Sequence, residues 1–207
     1  MAPYKITLIN VDKDYRFTAS QNAVDALIES FKISIEGFEP EILSYRTSSR
    51  YRITDLILKP THLLHIMSHG DLNGTISKSR LGGLITKNFE IAELREFSET
   101  YKTFPDLDCV LMDACETYSR EWFREVSGLL PRGRSVVYIG TTKTVDWREC
   151  TTFTSAFYLA LLQKAAPRSR ATRQEDLYSA FKASAKYWTL VSGQPSPFKA
   201  KIIKSSR

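Results

Sequence analysis

The apolar residues of this chain fall into two kinds of pattern that alternate along the sequence. Compact apolar runs, typical of buried strands, cover residues 4–10, 40–45, 62–68, 109–112 and 135–140. Apolar residues at helical spacing predict helices over residues 22–35, 51–58, 119–130, 150–164 and 176–189. This alternation of strands and helices predicts an α/β/α sandwich around a mainly parallel sheet, formed as a single domain over residues 1–207.

Three segments between these elements carry weaker patterns. The polar, glycine-containing stretch after His69 predicts a small β excursion with short strands at 73–77 and 81–86, followed by a helix through Ile91, Leu94 and Phe97. The basic stretch 167–172 predicts a linker. Residues 198–204 alternate, which predicts a closing edge strand with its lysines on the exposed side.

Two of the predicted strands end in reactive side chains. The strand at 62–68 stops at His69-Gly70, and the strand at 109–112 stops at Asp113-Ala114-Cys115. Chemistry collects at the carboxyl ends of parallel strands, so we expect a cysteine nucleophile with a histidine base. The backbone of Gly70 and the amide of Cys115 are candidate oxyanion donors. The alternatives are a structural cysteine, a loop histidine and an ordinary glycine turn; the position at two strand ends favours the dyad.

The remaining histidines and cysteines do not suggest a metal or a cofactor. His62 and His65 lie on the strand that precedes His69, where side chains alternate between faces, and no carboxylate cluster joins them. Cys109 begins a strand and Cys150 begins a helix, so we assign both a structural role. The three cysteines have no metal-ligand spacing and indicate a reducing compartment.

Composition and charge narrow the class of protein. The 207 residues are 43% hydrophobic and 25% charged, as in globular domains. No apolar run is long enough for a membrane span and no signal-peptide pattern is present, so we expect a cytoplasmic protein. The net charge of +6 is scattered over the chain without a nucleic-acid motif, and direct nucleic-acid binding is not expected.

Four short motifs, in order, resemble the caspase-like cysteine peptidases. Ser68-His69-Gly70 after one strand and Asp113 to Thr117 after another carry the resemblance, and the Ala-Cys-Glu-Thr setting is most similar to the CHAT branch. The strand at 135–140 with the following Val145-Asp146-Trp147, and the helix at 176–181, resemble further segments of that family. The resemblance extends from about residue 60 to about residue 190.

This resemblance implies a caspase-like fold and roles for single residues. His69 is the implied general base, Cys115 the nucleophile that forms a thioester, and the Gly70 and Cys115 amides the oxyanion hole. Asp113 stands two residues before the nucleophile, where relatives carry an acidic residue that receives Lys or Arg; its alternative is a strand-end cap. The caspase Gln-Ala-Cys-Arg-Gly signature is absent, so cleavage after aspartate is not expected. Further candidate walls of the substrate pocket are Asp146, Asp12 and Asp14.

The resulting hypothesis is a cysteine endopeptidase that cleaves a partner protein after Arg or Lys. Stand-alone CHAT-like peptidases resemble effectors of bacterial defence, including antiviral defence, or of cell-death pathways. The helical repeats that often accompany CHAT domains are absent here, so we expect either a separate activator or sensor protein or a domain that acts alone. Two alternatives stay open: a catalytically silent caspase-like binding module, and a basic nucleic-acid-binding α/β domain.

Overall fold

The computed structural model describes most of the chain, with gaps mainly between the elements. The described ranges are residues 4–11, 15–34, 40–47, 50–57, 59–71, 83–85, 91–93, 104, 106–163 and 170–206. Their strands are β1 Lys5–Asn10, β2 Glu41–Arg46, β3 Leu63–Met67, β4 His69–Asp71, β5 Gly83–Ile85, β6 Ile91–Glu93, β7 Cys109–Asp113, β8 Ser135–Thr141 and β9 Phe198–Lys204. Their helices are α1 Tyr15–Ser34, α2 Arg50–Ile57, α3 Arg120–Gly128, α4 Trp147–Leu162 and α5 Arg170–Ser192.

The main sheet of these residues is almost entirely parallel. Its strand order is β2-β1-β3-β7-β8-β9, and only β9 runs antiparallel to its neighbour. β3 and β7 lie side by side with Met67 opposite Asp113, so both strands end at the same edge. The second sheet, β4-β5-β6, is antiparallel and directly follows β3. This is the predicted β excursion after the candidate histidine.

Helices cover both faces of the main sheet because its strands are apolar on both sides. In β3, Leu64 and Ile66 enter one core cluster, while Leu63 and Met67 enter the other. The first cluster receives apolar side chains from α2 and α3, and the second from α1, α4 and α5. The predicted α/β/α sandwich is therefore confirmed, since two separate apolar layers enclose one sheet.

The structure differs from the sequence predictions at three places. α1 begins at Tyr15, ahead of the predicted start at residue 22. Ile91–Glu93 forms strand β6 beside β5, whereas the apolar spacing predicts a helix there. α5 begins at Arg170, inside the stretch predicted to be a linker. The predicted strand at 73–77 lies outside the described residues. Among the helices that the structure describes, none has the length and apolar character of a membrane span.

Candidate active site

The adjacent ends of β3 and β7 bring the two candidate catalytic segments to one edge of the sheet. The backbone N–H of Ser68 donates to the carbonyl of Asp113 at 3.0 Å, which ties the two chain segments together just after the last strand residues. His69 and Gly70 follow in β4, opposite Ile85 and Leu84. The description covers the backbone of His69 but not its side chain. The His69–Cys115 dyad therefore stays a prediction, supported by the position of the two segments.

The loop that carries Cys115 is braced against the end of β8. The hydroxyls of Thr117 and Thr141 both donate to the carbonyl of Ala114, the former at 3.2 Å. The Tyr138 hydroxyl donates to the carbonyl of Thr117 at 2.7 Å, and these groups are buried. Such buried, fully paired hydrogen bonds hold a backbone in one conformation.

Gly140 lets this loop approach β8 closely. A Cβ atom at Gly140 would lie 2.8 Å from Oγ1 of Thr117 and 2.9 Å from Cε1 of Tyr138. Both distances are shorter than van der Waals contact allows, so a side chain at this position requires the loop or the tyrosine ring to move. The absence of a Cβ is therefore part of how the loop is positioned.

The backbone around Cys115 leaves its amide available. The next residue, Glu116, has a φ of 55°, a left-handed conformation that is rare for residues other than glycine. Its N–H donates to the carbonyl of Lys143 at 3.3 Å, and the N–H of Tyr118 donates to that of Thr141 at 2.8 Å. Within the described part of the chain, no acceptor binds the amide of Cys115. Among these residues, nothing competes with a ligand for this amide.

Cys115 is partly exposed, in contrast to the other two cysteines. Cys115 is half-buried, and its Sγ lies 3.6 Å from the carbonyl oxygen of Val145 as a weak donor. Cys109 and Cys150 are buried, and burial raises the pKa of both thiols well above the ordinary range. The negative potential of Asp113 and Cys115 also raises the pKa of Cys150. Only Cys115 combines exposure with a position at a strand end.

Asp113 is fully buried at the end of β7, beneath the Cys115 loop. One carboxylate oxygen lies 3.0 Å from Nε2 of His65. The hydroxyl of Thr154, on α4, lies 3.0 and 2.8 Å from the two carboxylate oxygens. On the other side of the imidazole, the Tyr158 hydroxyl lies 3.3 Å from Nδ1 of His65. The predicted role of Asp113 in a substrate pocket stays a prediction, and its carboxylate already has partners within the protein.

Sequence reasoning missed the other three members of this network. His65 was the detectable signal: it is a histidine in an otherwise apolar strand. Since Met67 pairs with Asp113 and alternate residues share a face, His65 lies on the Asp113 side of the sheet. Thr154 and Tyr158 are four residues apart on α4, so both lie on the face that covers these strands.

The other predicted pocket residues are placed differently. Asp146 is the N-cap of α4, where its carboxylate accepts from the N–H groups of Arg148 and Glu149 at 2.7 and 3.1 Å. The hydrogen bond from the Arg148 side chain, followed by those backbone donors, holds the pKa of Asp146 below its ordinary value. Its pocket role stays a prediction. Asp12 and Asp14 lie outside the described residues.

The described residues include no set of three or more His, Cys, Asp or Glu side chains that could hold a metal ion.

Known proteins resemble this chain in fold but not in sequence. No protein-family model and no curated protein matches the chain. Among solved structures, it is similar to a secreted C11 cysteine protease from Bacteroides thetaiotaomicron, with a TM-score of 0.54 and 13% identity over 87% of this chain. It is also similar to the Arg-specific cysteine proteinase gingipain R, with a TM-score of 0.54 and 12% identity over 94% of the chain. A complex of the pro- and mature domains of RgpB from Porphyromonas gingivalis matches with a TM-score of 0.52 and 11% identity, also over 94% of the chain.

The chain spans 59%, 45% and 46% of those three proteins, so roughly half of their length has no counterpart here. At this level of identity the likeness concerns the fold. The six-stranded, mostly parallel sheet of the described residues, with helices on both faces, is therefore the caspase-like fold of these cysteine proteases.

Proposed function

We propose that this protein is a cysteine endopeptidase in which Cys115 is the nucleophile and His69 the general base. The observation that supports this most is the partly exposed Cys115 on a braced loop, next to the strand that leads into His69. A partly exposed cysteine and a backbone amide beside it suit covalent attack on a carbonyl. The shared fold of known cysteine proteases is consistent with this chemistry.

In the proposed reaction, His69 takes the thiol proton and the sulfur of Cys115 attacks the carbonyl carbon of the scissile peptide bond. The amides of Cys115 and Gly70 stabilise the oxyanion, and the protonated His69 gives its proton to the departing amine. The thioester formed on Cys115 is then hydrolysed by a water molecule, which His69 deprotonates. The products are a carboxylic acid and an amine, and the thiol is regenerated.

For the substrate we propose a protein cut after a basic residue. Asp113 supplies the negative charge for that residue, two positions before the nucleophile, and a carboxylate pairs well with a guanidinium. The comparison with gingipain R, an Arg-specific proteinase, is consistent with this preference. We further propose, from the resemblance to the CHAT branch, a cytoplasmic effector in bacterial defence or cell death that a separate activator protein controls.

A catalytically silent binding module is the second candidate, and one observation favours it. The Asp113 carboxylate is fully buried and hydrogen-bonded to His65 and Thr154, as in a site that no longer admits a substrate. The two candidates make opposite predictions for the Cys115→Ala variant. The peptidase loses its cellular effect with this change, whereas a binding module keeps it.

The direct experiment is covalent labelling by a peptidyl acyloxymethyl ketone with arginine next to the reactive group. We expect the probe to modify Cys115, as located by peptide mass spectrometry, and we expect the His69→Ala variant to lose the labelling. An aspartate probe is the matched control for specificity. Equal labelling by the aspartate probe would contradict the basic preference, and labelling that survives His69→Ala would contradict the dyad.

A further inference from the structure

Strand β9 forms one edge of the main sheet. It pairs with β8 on one side, and no strand of the described residues lies on its other side. Just beyond β9, the N–H of Ser205 donates to the carbonyl of Arg134 at 2.8 Å. Backbone bonds alternate along an antiparallel strand, so every second residue before Ser205 also bonds to β8. The backbone groups of the residues between them, Ala200, Ile202 and Lys204, therefore point towards the open side.

Two of these three outward carbonyls already have a partner. The hydroxyl of Tyr118 donates to the carbonyl of Ala200 at 3.3 Å, and that of Ser127 donates to the carbonyl of Lys204 at 2.6 Å. The outward N–H groups accept no such pairing within the described ranges. Over this part of the chain the open edge therefore offers three N–H donors but only one unpaired carbonyl, that of Ile202. Such an edge attracts hydrogen-bond acceptors.

Lysine side chains flank the same edge. Lys199, Lys201 and Lys204 are all exposed, and the ammonium group of Lys201 lies 4.6 Å from the centroid of the Phe123 ring. None of the ion pairs between described residues includes one of these lysines. Lysine on an edge strand usually discourages pairing with another chain. It does so through its charge, and the same charge attracts a strand with acidic side chains.

Ile202 places an apolar side chain in the middle of this basic edge. Its side chain is 49% exposed. Because alternate residues of a strand share a face, Ile202 lies on the face opposite to Lys199 and Lys201. A strand added to this edge would place its side chains beside the two lysines on one face and beside Ile202 on the other. A segment that alternates acidic and apolar residues fits both faces.

We propose that the open edge of β9 is a docking site for an extended acidic segment of another protein, which adds a strand to the main sheet. In this mode of binding, main-chain hydrogen bonds provide affinity and the alternate side chains provide specificity. A second copy of this chain is the competing occupant. Two β9 strands side by side would bring the lysines of both copies together, and the net charge of +6 also opposes self-association. The proposal does not depend on the chemistry of Cys115, so either can fail alone.

The test uses two fluorescein-labelled peptides of equal length, one alternating Glu with Val and the other alternating Lys with Val. Fluorescence anisotropy measures their binding to the full chain, and amide hydrogen exchange followed by NMR locates the binding site. We expect the acidic peptide to bind, less tightly as the salt concentration rises, and the lysine peptide not to bind. At a peptide concentration of about ten times Kd, the amides of Ala200, Ile202 and Lys204 should exchange about tenfold more slowly.

Ile202→Pro tests the backbone of the edge. Proline lacks the N–H group and is tolerated on an edge strand where that group points outward, so the fold should persist. The acidic peptide should bind about tenfold more weakly to this variant, because it loses a main-chain hydrogen bond. Ile202→Val is the matched control, since it keeps the N–H group and a β-branched side chain, and its affinity should be unchanged.

A charge-reversal variant covers the case in which Ile202→Pro does not fold. With Lys199→Glu and Lys201→Glu combined, we expect the acidic peptide to bind about tenfold more weakly. The same variant should now bind the lysine peptide, because the sign of the charge on the edge decides which peptide fits.

Several outcomes would overturn the proposal. It is wrong if the acidic peptide does not bind, if both peptides bind equally, or if neither the proline nor the charge-reversal variant changes the affinity. Slow exchange of the three outward amides in the dilute free protein would show that the chain itself covers the edge. Slow exchange that appears only as the protein dimerises, and that Ile202→Pro abolishes, would identify a second copy as the occupant instead.

Discussion

Gly140→Ala should destabilise the protein through the loop that carries Cys115. The added Cβ would lie 2.8 Å from Oγ1 of Thr117, 2.9 Å from the Tyr138 ring and 3.2 Å from the backbone carbon of Thr117. These neighbours are buried, and the hydroxyl and carbonyl of Thr117 are hydrogen-bonded. Neither the ring nor the loop can withdraw without breaking a contact that the structure uses.

The expected loss follows from these contacts. Overpacking of a buried position costs about 1–3 kcal/mol, and each buried hydrogen bond that the shift weakens adds about 1 kcal/mol. With the bond from Tyr138 to Thr117 affected, we expect the free energy of unfolding to fall by about 3 kcal/mol. At a urea dependence of about 2 kcal/mol per molar, the midpoint would drop by about 1.5 M.

The assay is equilibrium unfolding in urea, followed by far-UV circular dichroism and by tryptophan fluorescence. Gly133→Ala is the matched control, because Gly133 has a φ of +74° and open space around its Cα. That change introduces backbone strain without a clash and should cost about 1 kcal/mol. Labelling of Cys115 by the arginine probe should slow in Gly140→Ala and stay unchanged in Gly133→Ala.

Two outcomes for Gly140→Ala would contradict this account of the Cys115 loop. If Gly140→Ala lowers the free energy of unfolding no more than Gly133→Ala does, the close approach of the loop to β8 does not contribute as argued. If Gly140→Ala destabilises the protein but leaves the labelling rate of Cys115 unchanged, the contact supports the fold without positioning the nucleophile.

Three further predictions use other contacts of the site. Thr141→Val removes the hydroxyl that donates to Ala114 and should lower kcat for an arginyl peptide about tenfold, with little change in KM. Thr141→Ser keeps the hydroxyl and should keep most of the activity. Equal losses of activity in the two variants would contradict a role for the hydroxyl. Because burial raises the pKa of the Cys109 and Cys150 thiols, iodoacetamide at pH 8 should modify Cys115 alone in the folded protein. Mass spectrometry of the modified peptides checks this result. Modification of either buried thiol at the same rate as Cys115 would contradict the prediction. Asp146→Ala should cost about 1 kcal/mol at neutral pH through loss of the α4 N-cap, with less loss in Asp146→Asn. Because the folded-state pKa of Asp146 is lowered, its charge stabilises the fold above the unfolded pKa, and the difference from Asp146→Asn should vanish as the pH falls through the folded value in unfolding titrations.

The central strands of the main sheet could be predicted from sequence because they are buried on both faces. A continuous apolar run that is bounded by polar or glycine residues, such as the one that forms β3, favours a buried strand. Ile91–Glu93 shows the limit of this reasoning: a short apolar segment fits a helix or a strand equally well, and pairing with β5 decides it. The pairing of β6 with β5 cannot be predicted from the local pattern of apolar residues.

The early start of α5 has a similar cause. Its first turns lack the apolar spacing that marks a helix, but they make contacts with distant parts of the chain. Arg173 donates to the carboxylate of Asp108 at 3.2 Å, and Gln174 donates to the carbonyl of Ser135 at 2.8 Å. Tertiary hydrogen bonds of this kind extend a helix beyond its amphipathic segment, and sequence periodicity does not record them.

The candidate site was partly predictable for the same physical reason. The positions of His69 and Cys115 follow from strand ends, which sequence patterns locate well. The pairing of His65 with Asp113 depends on the register between β3 and β7 and on how α4 packs over them. The sequence therefore indicates where the candidate nucleophile lies, but not which side chains surround Asp113.

The buried network around Asp113 also determines where α4 can sit along the sheet. Phe153, Phe157 and Leu161 recur every four residues in the core, so a shift of α4 by four residues, about 6 Å, would exchange one apolar side chain for another. Apolar burial is not directional and hardly distinguishes the two positions. A shifted Thr154 would leave the Asp113 carboxylate without its hydroxyl donor, so the polar pair excludes the wrong alignment. Since the segment before α4 contacts the Cys115 thiol, the same pair aligns the helix and keeps the nucleophile in place.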